Sequence, residues 1–388
     1  LGEREKGEMG RFVIFVEFNR QCMFHTIITL SYTIPGIYLF LRIWQLFISR
    51  QHRFLYIAVF VALYSLYPLS NILEDRSGIL TRLLTTFSEY LLPFFLYMFL
   101  LVLFVDLLLL INLAKIVPVE NIRKPAFRKK IFISLISASI LIVIAGIINF
   151  NTIRTTSYNI EVTGKTTRLK TLRIAFVSDF HLDQTVTLRF IERYAARIRN
   201  TDPDIILYGG DIVEGDGENI PDIERIIKSL KPRYGSFAVT GNHDRIRDDR
   251  DNFFTRSGIV LLRDSIVSAD SSFSVAGRNY NRGGARETVS KFLSKAPAGL
   301  PLIVLDHVPT EFDLISRSGA DMVFSGHTHK GQLFPINLYL KMVYELSYGH
   351  MKKNGTDCFV SSGIRLWGPP VRTTGKSEIV VVDVRFAP

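Results

Sequence analysis

The sequence predicts two parts of different fold class: a multi-pass α-helical membrane region over residues 1–150, followed by an α/β domain over residues 151–388. Three observations lead there. Every long apolar run lies before residue 150, short apolar runs alternate with amphipathic helical patterns after it, and five of those short runs end in Asp, His or Asn. The chain has 388 residues, more than the roughly 100–200 of one ordinary domain. Hydrophobic residues make up 47% of it, high for a soluble enzyme.

Four segments reach the ~20 residues of helix that a hydrocarbon core requires: Thr26 to Phe47, Phe54 to Leu73, Tyr90 to Leu113 and Ile131 to Phe150. Pro35, Pro68 and Pro93 fall inside or near the ends of these runs. Transmembrane helices accept proline there because neighbouring groups re-satisfy the freed backbone. Asp106 stands deep in the third run, where an acid either marks a functional site or pairs with a neighbouring helix. The basic loops SRQHR (Ser49 to Arg53) and 114–130, ending RKPAFRKK, predict that residues 151–388 lie on the outer side of a cell membrane. Arg4, Lys6, Arg11 and Arg20 in the N-terminal tail argue the other way. The opening LGEREKGEMGR carries charges of both signs, so no cleavable signal peptide is expected there.

The formal net charge is +11, and fifteen basic against nine acidic residues leave +6 of it in residues 1–150. An excess so evenly spread fits a solvated surface, or one near anionic lipid headgroups, better than a nucleic-acid groove, so no nucleic acid is expected as partner. The two cysteines, Cys22 and Cys358, form no Cys-x-x-Cys pair, and no disulfide framework or zinc ribbon follows.

In the second part, Leu172 to Ser178, Asp204 to Tyr208, Ser236 to Thr240, Pro301 to Leu305 and Met322 to Ser325 read as buried strands. Helical patterns lie between the first three: Thr187 to Asn200, with Leu188, Ile191, Ala195 and Ile198 on one face, and Pro221 to Leu230, with Ile223, Ile226, Ile227 and Leu230. That alternation predicts parallel pairing. Glu378 to Val384 and Phe359 to Ile364 have no helix between them and predict added antiparallel or mixed pairing.

Open α/β sheets bind ligands outside the carboxyl ends of their strands. Here those ends read Ser178-Asp179-Phe180-His181, Gly209-Gly210-Asp211, Gly241-Asn242-His243-Asp244, Asp306-His307 and Gly326-His327-Thr328-His329. Carboxylate, imidazole and amide oxygen suit zinc, manganese or iron, and no thiolate stands among them. Seven such groups are too many for one ion with open positions. Two ions sharing a carboxylate use them without surplus, and such a pair can clamp both oxygens of a phosphoryl transfer. On an extended segment, residues two apart share a face at ~6.6 Å, so Asp179 and His181 are expected to grip one ion. His327 and His329 are expected to leave their strand on one side. Glycines 209, 210, 241 and 326 allow backbone to approach closely there. His25, His52 and His350 read as structural histidines.

The ordered set Asp-x-His, Gly-Asp, Gly-Asn-His-Asp, His and Gly-His-x-His resembles the calcineurin-like metallophosphoesterases. SGHTHKGQ with the later GIRLWGPPVR is similar to their membrane-attached bacterial subgroup, which often carries Gly where this chain has Lys330. The resemblance implies a four-layer αββα sandwich and two divalent ions (Mn, Fe or Zn). It implies Asp179, His181, Asp211 and His329 on the first ion, Asn242, His307 and His327 on the second, and Asp211 as the bridge. It also implies a metal-bridging hydroxide as nucleophile, His243 meeting the phosphoryl or leaving-group oxygen, and Asp244 orienting the His243 ring. Two departures stand out: Glu214 where many members have Asp, and Ala276-Gly277-Arg278-Asn279 in place of an acidic pair. Arg278 and Arg282 become candidate phosphate contacts, since a guanidinium fork suits phosphate, and Lys330 is a third.

The function expected is a membrane-anchored phosphoesterase or pyrophosphatase acting on a phosphorylated lipid or a lipid-linked or nucleotide-sugar substrate. A catalytically weak metal-binding sensor, or a regulator of the membrane region, is the alternative; its usual signature is a lost ligand, and every ligand is present here.

Overall fold

Long apolar runs become long helices. In the computed structural model, which describes residues 32–73, 79–111, 124–182, 186–214, 220–244, 252–280 and 286–388, the chain divides into two units, Leu1–Ala145 and Gly146–Pro388. The first holds α1 (residues 32–47), α2 (Arg53–Leu73), α3 (Ile79–Ile111) and most of α4 (Pro125–Asn151). Among the described residues, three helical stretches are long and apolar enough to cross a membrane: Arg50–Ser70, Leu83–Leu110 and Pro125–Asn151. The other expected span, Thr26 to Phe47, is helical over residues 32–47, and its first residues lie outside the described ones. Cys22 and His25 lie outside them as well.

Leu39 and Ile43 of α1, Phe95, Met98 and Val102 of α3 and Leu135 of α4 form the buried centre of this unit. Asp106 resolves in favour of a partner on a neighbouring helix. Arg42 donates through Nε to its Oδ2 at 2.6 Å and through Nη2 to Oδ1, and the Tyr38 hydroxyl donates to the same carboxylate. An acid and a base that would each be costly in hydrocarbon thus neutralise one another.

The second unit is built from strands, in chain order β1 (Ile153–Thr163), β2 (Thr171–Val177), β3 (Ile205–Tyr208), β4 (Ser236–Ala238), β5 (Ile259–Leu261), β6 (Ser265–Ala269), β7 (Phe273–Gly277), β8 (Leu302–Leu305), β9 (Met322–Ser325), β10 (Gly349–Lys353), β11 (Thr356–Val360) and β12 (Ser377–Ala387). Its helices are α5 (Leu188–Thr201), α6 (Ile220–Lys228), α7 (Phe253–Arg256), α8 (Val289–Leu293), α9 (Phe312–Arg317) and α10 (Ile336–Val343). Two six-stranded sheets form, ordered β1-β12-β2-β3-β4-β5 and β10-β11-β9-β8-β7-β6. The pairing is mixed: β2, β3, β4 and β5 run parallel, whereas β12 lies antiparallel to β2 and parallel to β1.

The period of two along each strand assigns the layers. Ile174 and Phe176 of β2, Leu207 of β3, Ile303 and Leu305 of β8 and Phe324 of β9 meet in the core between the sheets. Their neighbours Ala175, Val177, Ile206 and Tyr208 face α5 and α6, and Val304 and Val323 face α8 and α9. The result is an αββα sandwich in which β2, β3, β8 and β9 are buried on both faces. That double burial is why these strands read as unbroken apolar runs.

Candidate metal centre

Beyond each central strand the chain turns sharply. Asp179, His181, Asp211, His327 and His329 all have positive φ, between 45° and 70°. The expectation that Asp179 and His181, or His327 and His329, share a face as residues of an extended strand is therefore corrected. β2 ends at Val177 and β9 at Ser325, and left-handed backbone aims these side chains. Such a conformation costs a non-glycine residue roughly 1–2 kcal/mol, and it concentrates at functional sites.

Two clusters of predicted ligands result, one of Asp179, His181 and His329 and one of Asp211, His307 and His327, beside a third group in which Glu214 and His243 join His181. In the first, His181 Nε2 and His329 Nε2 lie 3.4 Å apart, with Asp179 Oδ1 at 3.7 Å from His329 Nε2. In the second, His307 Nε2 is 3.2 Å from Asp211 Oδ2 and 3.2 Å from Asn242 Oδ1, and His327 Nδ1 is 2.9 Å from the same Asn242 oxygen. All seven sequence-predicted ligands are thus brought to these two clusters. Backbone ties them together: His327 N–H donates to Asp179 Oδ1 at 3.1 Å and His243 N–H to Asp211 Oδ1 at 2.7 Å. There is no room for a side chain at two glycines. A Cβ on Gly241 would lie 2.1 Å from Asp211 Oδ1, and one on Gly326 would lie 2.5 Å from Asp179 Oδ2.

The far nitrogens of the rings are fixed too. His307 Nδ1–H donates to the Gly209 carbonyl at 2.7 Å, leaving Nε2 for the cluster. His181 Nδ1 meets Glu214 Oε2 at 3.0 Å, which likewise frees Nε2. A second partner on the outer nitrogen is how ligating histidines are usually oriented.

The charges fit divalent ions. Burial, with His181 second, holds His329 well below the ordinary imidazole range, and burial together with His307 brings His327 down to about 4. Both rings are neutral near pH 7, the form that binds metal. Two ring nitrogens facing at 3.4 Å, beside a wholly buried Asp179, form a donor set of the kind that suits a divalent ion. Burial also pulls His307 down, but the Asp211 carboxylate outweighs it and lifts the ring to about 9. Burial raises Asp211, and the His307 imidazole more than reverses that, keeping it ionised.

His243 stands beside the first cluster, its ring centroid 5.1 Å from that of His181. Burial lowers its basicity, but Glu214 and then Asp211 raise it above the ordinary value. Here the expectation for Asp244 is corrected. The carboxylate facing the His243 ring is Glu214, whose Oε1 lies 2.8 Å from Nδ1. Asp244 instead accepts the backbone N–H groups of Asp211, Ile212, Val213 and Gly241 at 2.7–2.8 Å. It shapes the turn that carries Asp211. Glu214 stood out in the sequence only as a departure from the usual Asp; that one carboxylate serves two rings required the fold.

Arg278 is corrected as well. It is 1% exposed, with Nε 3.2 Å from Asp306 Oδ2 and Nη2 2.9 Å from Glu311, so its charge is spent on internal carboxylates. Lys330 has φ 52°, a conformation natural to the glycine expected there, and its ammonium lies 4.1 Å over the Tyr348 ring. Arg282 lies outside the described residues. His350 is structural, bonded to Asp357 at 2.8 Å and stacked on Phe359.

Residues 172–331 match the family described as calcineurin-like phosphoesterase. An uncharacterized metallophosphoesterase of Helicobacter pylori strain J99 is 29% identical over 217 residues, covering 54% of this chain and 59% of that protein. A transmembrane protein with metallophosphoesterase domain from Danio rerio is 26% identical over 287 residues, covering 69% of this chain and 65% of its own length. Phosphodiesterase YaeI of Escherichia coli K12 is 29% identical over 170 residues, covering 42% of this chain and 62% of its own. The chain therefore spans 59–65% of the length of these relatives.

Proposed function

We propose, for a chain that carries a calcineurin-like metallophosphoesterase domain, that it is a membrane-anchored phosphoesterase with a two-metal centre. The observation that carries this reading is the meeting of the two ligand clusters, one at Asp179, His181 and His329 and the other at Asp211, His307 and His327. In this reading the first cluster would hold one divalent ion and the second, with Asn242, would hold another. Such ions, when bound, polarise phosphoryl oxygens and lower the pKa of water.

The chain's own groups do the rest. His243, kept protonated to higher pH by Glu214, gives its proton to the leaving-group oxygen; a positioned acid of this kind is worth about 10² to 10⁴-fold. Glu214 holds both the His243 and His181 rings by their Nδ1 atoms. Asp244 keeps the Asp211 turn in place.

The substrate we propose is a phosphoester or pyrophosphate in a phosphorylated lipid or a lipid-linked or nucleotide-sugar molecule, with the domain on the outer side of the cell membrane. Among the described residues, three helices apolar enough to span a bilayer support the anchoring and hence the lipid. In purified full-length protein, hydrolysis of bis-p-nitrophenyl phosphate should cease on chelation, return with manganese and be absent in Asp211→Asn. Activity that survives both treatments overturns the reading, and a screen of lipid and nucleotide-sugar phosphates then selects the substrate.

A further inference from the structure

Helix α10 is built the wrong way round for a water-facing surface. A surface helix ordinarily turns its apolar stripe inward, yet none of its eight residues is buried. With the preceding Phe334, the side chains of Ile336, Leu338, Tyr339, Met342 and Val343 are 45–82% exposed. The start of the helix packs closely on the turn that precedes it: a Cβ on Gly331 would come within 2.4 Å of the Asn337 nitrogen.

The tether of this helix identifies what covers it. Phe334 N–H donates to Thr373 Oγ1 at 2.9 Å, and the N–H groups of Thr373 and Thr374 donate to the Gln332 carbonyl at 2.9 and 3.1 Å. The same short segment is pinned by Asn149, in the last turn of α4, whose amide donates to the carbonyls of Arg372 and Gly375 at 3.0 and 3.2 Å. The exposed helix is therefore fastened to the end of a stretch apolar enough to cross a bilayer. Lys341, in the last turn of the helix itself, adds a cation suited to anionic headgroups. Trp367, 45% exposed, sits with its ring 5.7 Å from that of His243. Tryptophan favours the membrane–water boundary.

We propose that α10, with Phe334 and Trp367, dips into the headgroup–acyl boundary of an anionic lipid bilayer, so that a lipid-borne phosphodiester approaches His243 from the membrane surface. The docking stands on the geometry of this face; the delivery of substrate rests on the phosphoesterase reading.

The test uses full-length protein with Cys22 replaced by serine, reconstituted in phosphatidylcholine–phosphatidylglycerol vesicles. A fluorophore placed at Met342→Cys is compared with one at Lys352→Cys on β10. Doxyl-labelled lipid should quench the first at least about fivefold more than the second, and aqueous iodide should do the reverse. Equal iodide quenching at both sites overturns the docking, as does disulfide cross-linking of two copies through position 342, which would make the face a self-interface. Leu338→Glu should raise the ratio of KM for a vesicle-borne diester to KM for soluble bis-p-nitrophenyl phosphate about tenfold; an unchanged ratio overturns substrate delivery. If manganese-loaded wild type fails on the soluble diester, it is the phosphoesterase reading that falls, and the quenching decides the docking by itself.

Discussion

Glu214→Gln separates the holding of an ion from the movement of a proton. One oxygen of Glu214 meets His181 Nδ1 at 3.0 Å and the other meets His243 Nδ1 at 2.8 Å. Burial pushes this carboxyl up, but the hydrogen bonds from the two rings outweigh it and bring it down to about 2, so it is ionised at any working pH. Glutamine keeps the size, loses the charge and retains one acceptor oxygen, so one ring must lose its partner. A hydrogen bond to a charged group is worth roughly 1.5–3 kcal/mol, or about 10- to 150-fold in an equilibrium or a rate. If His181 loses its partner, manganese affinity falls about 10- to 100-fold while kcat at saturating metal is kept. If His243 loses it, affinity holds, kcat falls, and the ring's raised basicity relaxes downward. A step that needs protonated His243 would then fail at lower pH than in wild type. Calorimetric manganese titration and a kcat–pH profile on the same samples read the two outcomes apart. Both quantities staying within about twofold of wild type would refute the bridging role.

Other outcomes follow from the same geometry. His243→Ala should cost about 10² to 10⁴-fold in kcat on an alkyl phosphodiester, much less on a p-nitrophenyl diester whose leaving group needs no proton, with bound metal unchanged. Equal losses on both substrates would exclude proton donation. Burial draws His307 down but Asp211 lifts it to about 9, and a ligand must be deprotonated. Metal affinity should therefore rise with pH up to about 9 with proton release, as titrations in buffers of different ionisation enthalpy would report. Conversely, the His307–Asp211 contribution to metal-free stability is complete below the ordinary histidine value of about 6.5. It is lost as pH rises through about 9, which thermal melts of chelated protein check. Gly241→Ala forces a methyl to within 2.1 Å of Asp211 Oδ1. It should lower stability by about 1–3 kcal/mol and weaken metal binding, with a wild-type melting temperature as the contrary result.

The chemistry-bearing residues and the central strands were legible because both are local properties. Met322 to Ser325 is read from three apolar residues in a row and the serine that closes them, and is a strand over that same span, and the ligand types declare themselves wherever the chain folds. The edges were not legible. β1 alternates buried and exposed residues and owes its place to β12, with Ile153 opposite Ser377. Strands β5, β6, β7 and β10 were missed because their apolar residues are too few or too interrupted to read as a run, and pairing completes them.

That an apolar helical region precedes an α/β domain, and which seven side chains gather in the two clusters, can be read from the sequence alone. Hydropathy and ligand chemistry belong to single residues and short windows. Only the tertiary structure decided what each polar group faces: Glu214 rather than Asp244 against His243, Arg278 spent on Asp306 and Glu311, Asp106 neutralised by Arg42. Those choices depend on left-handed turns at strand ends and on partners dozens of residues away, and a partner is defined by distance in space, which no short window of sequence carries.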